Sequence, residues 1–256
     1  MVFNSIFFIF CFLPVFMLIY YLVPGKLRNL LLFLGSLIFY AWGEPVYVIL
    51  MLFSSIFNYY MGTELERLYY DDRKQKINLV FSIIINLAVL VFFKYYGFLL
   101  NTIGGIIGIH IPHPELSLPI GLSFYTFRNL SYLFDIYLSK VSAQRNFLTF
   151  SVYSTMFPYT SAGPIVRYTD IETQLKQRII NISKFGIGAE LFVKGLAKKV
   201  LLADNLSVLY SSICGHPQMS VFTSWLGILA YTMQLYFDFS GYSDMAIGLG
   251  KMLGDR

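Results

Sequence analysis

Gln234, Asp238, Ser240, Tyr242 and Asp244 fall within residues 234–244 of one apolar stretch, Trp225 to Leu253. Carboxylates hold a cation or orient an imidazole, and amides and hydroxyls both donate and accept. Together these groups suit proton transfer or the holding of a polar substrate. The stretch is long enough to cross a bilayer, since about twenty helical residues span the hydrocarbon core. A carboxylate at the bilayer centre costs at least about 2.5 kcal/mol, so it persists beside a partner or a wet cavity. The expectation is a polar site inside the membrane, whose walls the other segments supply.

Other charges interrupt apolar runs elsewhere. Arg128 and Asn129 fall in the middle of a stretch from Leu118 to Asp135. Arg128 either pairs with a carboxylate such as Asp135 or acts directly at the site. Lys194 and Lys198 are four residues apart and share a helical face in the run Phe185–Leu209, which also carries Lys199 and Asp204. Lysines so placed either meet anionic headgroups or form a basic funnel for a phosphate-bearing donor. His110, His113 and Glu115 form an H-x-x-H-x-E string among prolines. No helix presents them on one face, so a solvated loop is expected there and no metal site. The chain has no G-x-S-x-G elbow, no C-x-x-C pair and no Walker loop.

The elements that position such residues follow from composition. Of 256 residues 57% are hydrophobic, 18% aromatic and only 13% charged, and mean hydropathy is +0.63. This is a polytopic membrane protein. Its apolar runs are continuous and not alternating, which favours an all-α fold over a barrel. Length allows roughly seven or eight membrane segments around a buried polar chamber, all in one transmembrane domain. The net charge of +5 does not point to nucleic acid, because Lys and Arg cluster in short loops as orientation signals. Cys11 and Cys214 sit in or beside apolar segments and read as free, buried thiols. No basic region or small-residue cleavage site marks the N-terminus, so the first span is read as retained.

In order, spans are expected over Phe3–Val23, with a kink at Pro14, then over Leu30–Trp42, Val46–Gly62 and Ile77–Leu100. Lys26 and Arg28 follow the first, and a charged loop from Glu64 to Lys76 follows the third. Both basic loops face the cytoplasm on this reading, which puts the N-terminus outside. A fifth span runs Leu118–Asp135. Residues 146–159 have basic flanks on both sides and are broken by Phe157-Pro158 and Ala162-Gly163-Pro164. This predicts a re-entrant hairpin whose irregular limb is Ser161–Tyr168. An interfacial helix over Ile171–Ile182, the run to Leu209, a short loop with His216 and the final span complete the chain.

Four strings resemble the membrane-bound O-acyltransferase family, in its alginate O-acetyltransferase branch. They are Leu118–Phe127 (LPIGLSFYTF), Ala162–Tyr168 (AGPIVRY), Gly195–Val200 (GLAKKV) and Tyr236–Gly250 (YFDFSGYSDMAIGLG). The resemblance covers essentially the whole chain and is similar to that family's N-terminal portion. It implies passage of an acyl group, here acetyl, from a cytoplasmic thioester donor (acetyl-CoA or a carrier-linked thioester) through a tunnel. The acceptor is a hydroxyl of an extracellular polysaccharide such as alginate, with an extracytoplasmic acetyltransferase as partner. The setting is a multi-pass protein of the bacterial inner membrane, with no bound cofactor. The family base is a histidine in a tryptophan-histidine-glycine string. None of His110, His113 and His216 matches it, so the base is expected beyond Arg256 and this chain alone is expected to be inactive. Arg128 stands where the family has glutamine, and Tyr159-Thr160-Ser161 where it has glutamine and apolar residues.

On that reading Gln234, Asp238, Ser240, Tyr242, Asp244 and Arg128 line the tunnel, and Arg167, Lys194 and Lys198 shape its cytoplasmic mouth. Asp244 either orients the histidine or pairs with Arg128 or Arg167 for packing. Two other classes compete. One is a broken-helix transporter or channel, which needs paired broken segments in two halves. The other is a non-catalytic membrane scaffold.

Overall fold

The computed structural model describes residues 3–109, 112, 117–160, 163–178, 181–216 and 220–254, and no strand occurs among them. His110, His113, Glu115, Ser161 and Ala162 lie outside the described residues. Two helices, Val48–Arg67 (α3) and Asp72–Ile107 (α4), are each long and apolar enough to cross a membrane. With the apolar composition they make this a helical membrane protein. The chain divides into two units. One comprises Met1–Arg28, Ala162–Pro164 and Thr173–Arg256; the other comprises Asn29–Ser161 and Ile165–Glu172.

In the first unit a π-turn, Phe8–Phe12, runs directly into α1, Leu13–Leu22. Pro14 lacks an N–H and its ring crowds the preceding turn. The ladder widens into the π-turn immediately before it, where a kink was expected. Helix α8, Ile182–Ala197, continues through a second π-helical stretch, Lys198–Ala203, into α9, Asp204–Cys214. The last helix, α10, runs unbroken over Val221–Met252, its glycines notwithstanding. Its terminal carbonyls need partners. Tyr20 Oη donates to the Leu253 carbonyl (2.7 Å), Tyr21 Oη to that of Met252 (2.5 Å), and Arg178 Nη1 also to that of Leu253 (3.3 Å). Cys11 and Cys214 are free as expected but exposed, because both point outward from their helices.

The second unit packs α2 (Arg28–Gly43), α3, α4, α5 (Leu122–Tyr137) and α6 (Phe147–Thr155). Apolar side chains have no hydrophobic drive to associate in lipid, so hydrogen bonds between helices matter more. Asn58 and Asn86 exchange amide hydrogen bonds at 3.0 and 2.9 Å across α3 and α4. Ser55 donates to Ser154 at 3.1 Å, and Asn129 to Ser54 at 3.2 Å. Helix α5 starts only at Leu122, after Gly121 takes a left-handed conformation with φ +75°. The break at Phe157-Pro158 falls where expected, as a 3-10 turn over Phe157–Tyr159. The amphipathic helix α7, Tyr168–Lys176, starts three residues earlier than expected and stops before 182. Asn181 instead caps α8, its side chain accepting from the Ser183 N–H.

Candidate functional site: a lysine–aspartate ladder beside a glycine crossing

The first unit's charged residues are placed by glycines. A Cβ added at Gly195 would lie 2.5 Å from the Gly241 carbonyl oxygen, and one at Gly241 would lie 2.7 Å from that of Gly195. Gly188 and Gly248 repeat this one heptad away, each within 2.6 Å of the other's carbonyl. Helices α8 and α10 therefore run antiparallel with backbones in direct contact, a distance only glycine permits. The π-helical stretch begins immediately past this contact and sets the direction of the two lysines that open it.

Lys198 Nζ donates to Asp244 Oδ2 at 2.5 Å and to Ser240 Oγ at 3.1 Å. Lys199 Nζ lies 2.8 Å from Asp238 Oδ1 and 3.0 Å from Asp204 Oδ1. Two adjacent cations thus face two carboxylates six residues apart on α10. Lys198, Lys199, Asp238 and Asp244 each have a counter-ion, the condition for charge at membrane depth. The side chains of Lys199 and Asp244 are 23% and 22% exposed, so the ladder remains reachable by a solute. Tyr242 stacks on Phe3 with centroids 4.8 Å apart. Gly163, at φ +106°, approaches the Tyr242 ring closely enough that a Cβ would sit 3.2 Å from it.

Of the residues singled out from the sequence, Lys198, Ser240 and Asp244 come together, and Asp238 joins through Lys199. Asp244 pairs with Lys198, and not with Arg128 or Arg167, the partners named in the packing alternative. Gln234, on the same helix, is half-buried, and its Oε1 has no partner among the described residues. Lys194 pairs with Glu190 at 2.6 Å on an exposed face, one turn back on its own helix. Arg167 is exposed in the segment before α7. Lys199 and Asp204 were not among the sequence candidates. The matched heptad spacing of Gly188/Gly195 and Gly241/Gly248 is the signal that would have found the crossing beside them.

Arg128 belongs to the second unit and is almost wholly buried. Its guanidinium donates to the carbonyls of Tyr153 (3.1 Å), Ser154 (3.5 Å) and Tyr159. The Tyr153 hydroxyl returns a bond to the Arg128 carbonyl at 3.2 Å. A cation set against the last carbonyls of α6 complements both their unmet acceptors and the negative end of the helix dipole. Asp135, the partner expected for Arg128, instead faces Lys140 at 3.8 Å.

The fold and ladder define a class: a helical membrane protein with reachable charges held between two of its helices. The whole chain is 40% identical, over 260 residues, to a Pseudomonas aeruginosa protein named "Probable alginate O-acetylase AlgI", covering 50% of it. An Azotobacter vinelandii protein of the same name is also 40% identical, with 52% covered. The "Peptidoglycan O-acetyltransferase" of Helicobacter pylori is 32% identical over 285 residues, matching 98% of this chain and 54% of that protein. No family model matches the sequence. By this relationship the chain is similar over its whole length to named alginate O-acetylases and a peptidoglycan O-acetyltransferase. It spans about half the length of the curated relatives it matches.

Proposed function

We propose that this chain forms part of an O-acyltransferase that passes an acetyl group from a cytoplasmic thioester to hydroxyls of a cell-envelope glycan. The observation that carries this reading is the Lys198–Asp244–Ser240 array, held beside the Gly195–Gly241 contact in a chain related throughout its length to named O-acetylases. The acceptor is alginate or a related polysaccharide, and an extracytoplasmic acetyltransferase is the partner.

On this reading Asp238, Ser240, Tyr242, Asp244 and Gln234 border the acyl passage. Lys198 neutralises Asp244 in the resting site and fixes its carboxylate. The base is a histidine of a tryptophan-histidine-glycine string, which these 256 residues do not contain. A fixed carboxylate orients such an imidazole and stabilises its cationic form, and a dry passage protects the thioester from water. Arg128 acts by holding the end of α6.

The test is glycan acetylation in membranes by a protein extended through that histidine, carrying Asp244→Asn. A loss of about tenfold or more is expected, as for removal of an orienting group. Acetylation at the parent rate would refute the role of the ladder. The 256-residue chain alone is expected to turn over no donor, and turnover by it would place the base among these residues.

A further inference from the structure

A cavity of about 400 Å³ lies in the second unit, between the turn joining α3 to α4 and the turn joining α5 to α6. Glu66, Tyr69, Tyr70, Ser139, Lys140 and Ser142 line it. Because α3 and α4 are each long and apolar enough to cross a membrane, the turn they share would lie at the membrane–water interface, at headgroup depth, whichever way the protein faces. The volume lies in the range of small-molecule sites.

The walls are tied in place before any ligand arrives. Glu66 accepts from the Ala143 N–H at 3.3 Å and, through its other oxygen, from Arg145. Tyr59 Oη donates to the Arg145 carbonyl at 2.8 Å, and Gln75 Nε2 to that of Leu65 at 3.1 Å. Other groups at the cavity have capacity left. Lys140 Nζ meets Asp135 only at 3.8 Å, beyond hydrogen-bond length. Ser139 and Ser142 present hydroxyls with no hydrogen bond among the described residues. Ser139 is also the one described non-glycine residue at positive φ, +56°.

We infer that this cavity binds a phosphoethanolamine-type zwitterion. Lys140 and the hydroxyls of Ser139 and Ser142 offer donors to phosphate oxygens. Glu66 and the rings of Tyr69 and Tyr70 offer a carboxylate and π-faces to the ammonium. Glu66 and Lys140 give the cavity wall one charge of each sign, so both ends of a zwitterion meet a counter-charge. A phosphatidylethanolamine headgroup and a free phosphoethanolamine ester share this chemistry. The inference is independent of acyl transfer.

The 256-residue chain, purified in non-ionic detergent, is titrated calorimetrically with dihexanoyl-phosphatidylethanolamine, dihexanoyl-phosphatidylglycerol and phosphoethanolamine. The ethanolamine lipid is expected to bind at least about tenfold tighter than the glycerol lipid. Lys140→Gln and Ser142→Ala should each weaken it several-fold, and Lys140→Arg should restore it. Thermal midpoints of all variants identify any that fail to fold, and Ser142→Ala, whose hydroxyl has no hydrogen bond among the described residues, keeps the test open if Lys140→Gln unfolds. Phosphoethanolamine binding as tightly as the lipid makes a soluble ester the ligand; binding by the lipid alone makes it the headgroup. Equal affinity for the two lipids, or wild-type affinity in folded Ser142→Ala and Lys140→Gln, overturns the inference.

Discussion

Lys198 Nζ stands 2.5 Å from Asp244 Oδ2, joining the start of the π-helical stretch to the middle of α10. Removing either partner leaves the other ion in an apolar helix pair without its counter-charge. Lys198→Met and Asp244→Leu are each expected to lower the thermal midpoint in detergent. The double variant should fall short of their sum by about 0.5–3 kcal/mol of coupling. Partial exposure of both side chains places the value toward the low end. Strict additivity in the cycle would mean the pair contributes nothing.

Gly195→Ala and Gly241→Ala each push a methyl group to within 2.7 Å of a backbone oxygen on the facing helix. Backbone cannot swing aside as a flexible side chain does, so each should cost about 1–3 kcal/mol or more. Gly186, on the same helix α8, has nothing within 4 Å of an added Cβ. Gly186→Ala should therefore be neutral or stabilise by up to about 1 kcal/mol through helix propensity. Equal thermal midpoints for Gly186→Ala and Gly195→Ala would refute the crossing.

Much of this arrangement was legible before any coordinates. Continuous apolar runs named the helical membrane class, and Asp238, Ser240 and Asp244 stood out because carboxylates are costly there. The partner of Asp244 was not legible. Lys198 and Lys199 are adjacent, and in a regular helix they point about 100° apart. Only the π-helical stretch, which has no strong sequence mark, lets both reach α10 or its neighbour. The contacts of Arg128 were not legible, because backbone carbonyls leave no trace in a sequence, whereas Asp135 was a visible charge nearby. Helix ends were missed where polar residues such as Asp72 extend a helix past its apolar part.

Arg128 reaches three backbone carbonyls with one planar fork, and a lysine cannot reproduce that geometry. Arg128→Lys should leave at least one buried carbonyl without a donor, at about 1–3 kcal/mol. Arg128→Met should cost more. Hydrogen exchange resolved by peptide should show residues 153–160 losing protection first, with α8 and α10 unchanged. Uniform loss across the chain would contradict a local clamp.

Asp71 caps α4, accepting from the Lys74 N–H at 3.1 Å and pairing with the Lys74 ammonium at 2.9 Å. These bonds hold its carboxyl below the usual carboxylate range. A depressed folded pKa adds stability above the unfolded pKa, near 4, and this is lost as pH falls through the folded value. Asp71→Asn should therefore lie closer to the parent in stability at acid pH, once the folded carboxyl is protonated, than at pH 7. A stability gap independent of pH would show that the charge is not the source of the effect.

Ser139 ends α5 in the left-handed region, with the Lys140 N–H bonded to the Asp135 carbonyl at 2.9 Å and its own N–H to that of Ile136 at 2.8 Å. Helices that end this way favour glycine there, because a Cβ costs about 1–2 kcal/mol. Ser139→Gly is therefore expected to raise the thermal midpoint. The same change removes one of the hydroxyls facing the interfacial cavity, so phosphoethanolamine binding should weaken as stability rises. A surface serine retained only by drift would yield the stability gain with no loss of binding. The two readouts moving in opposite directions would identify the strain as one that the ligand site maintains.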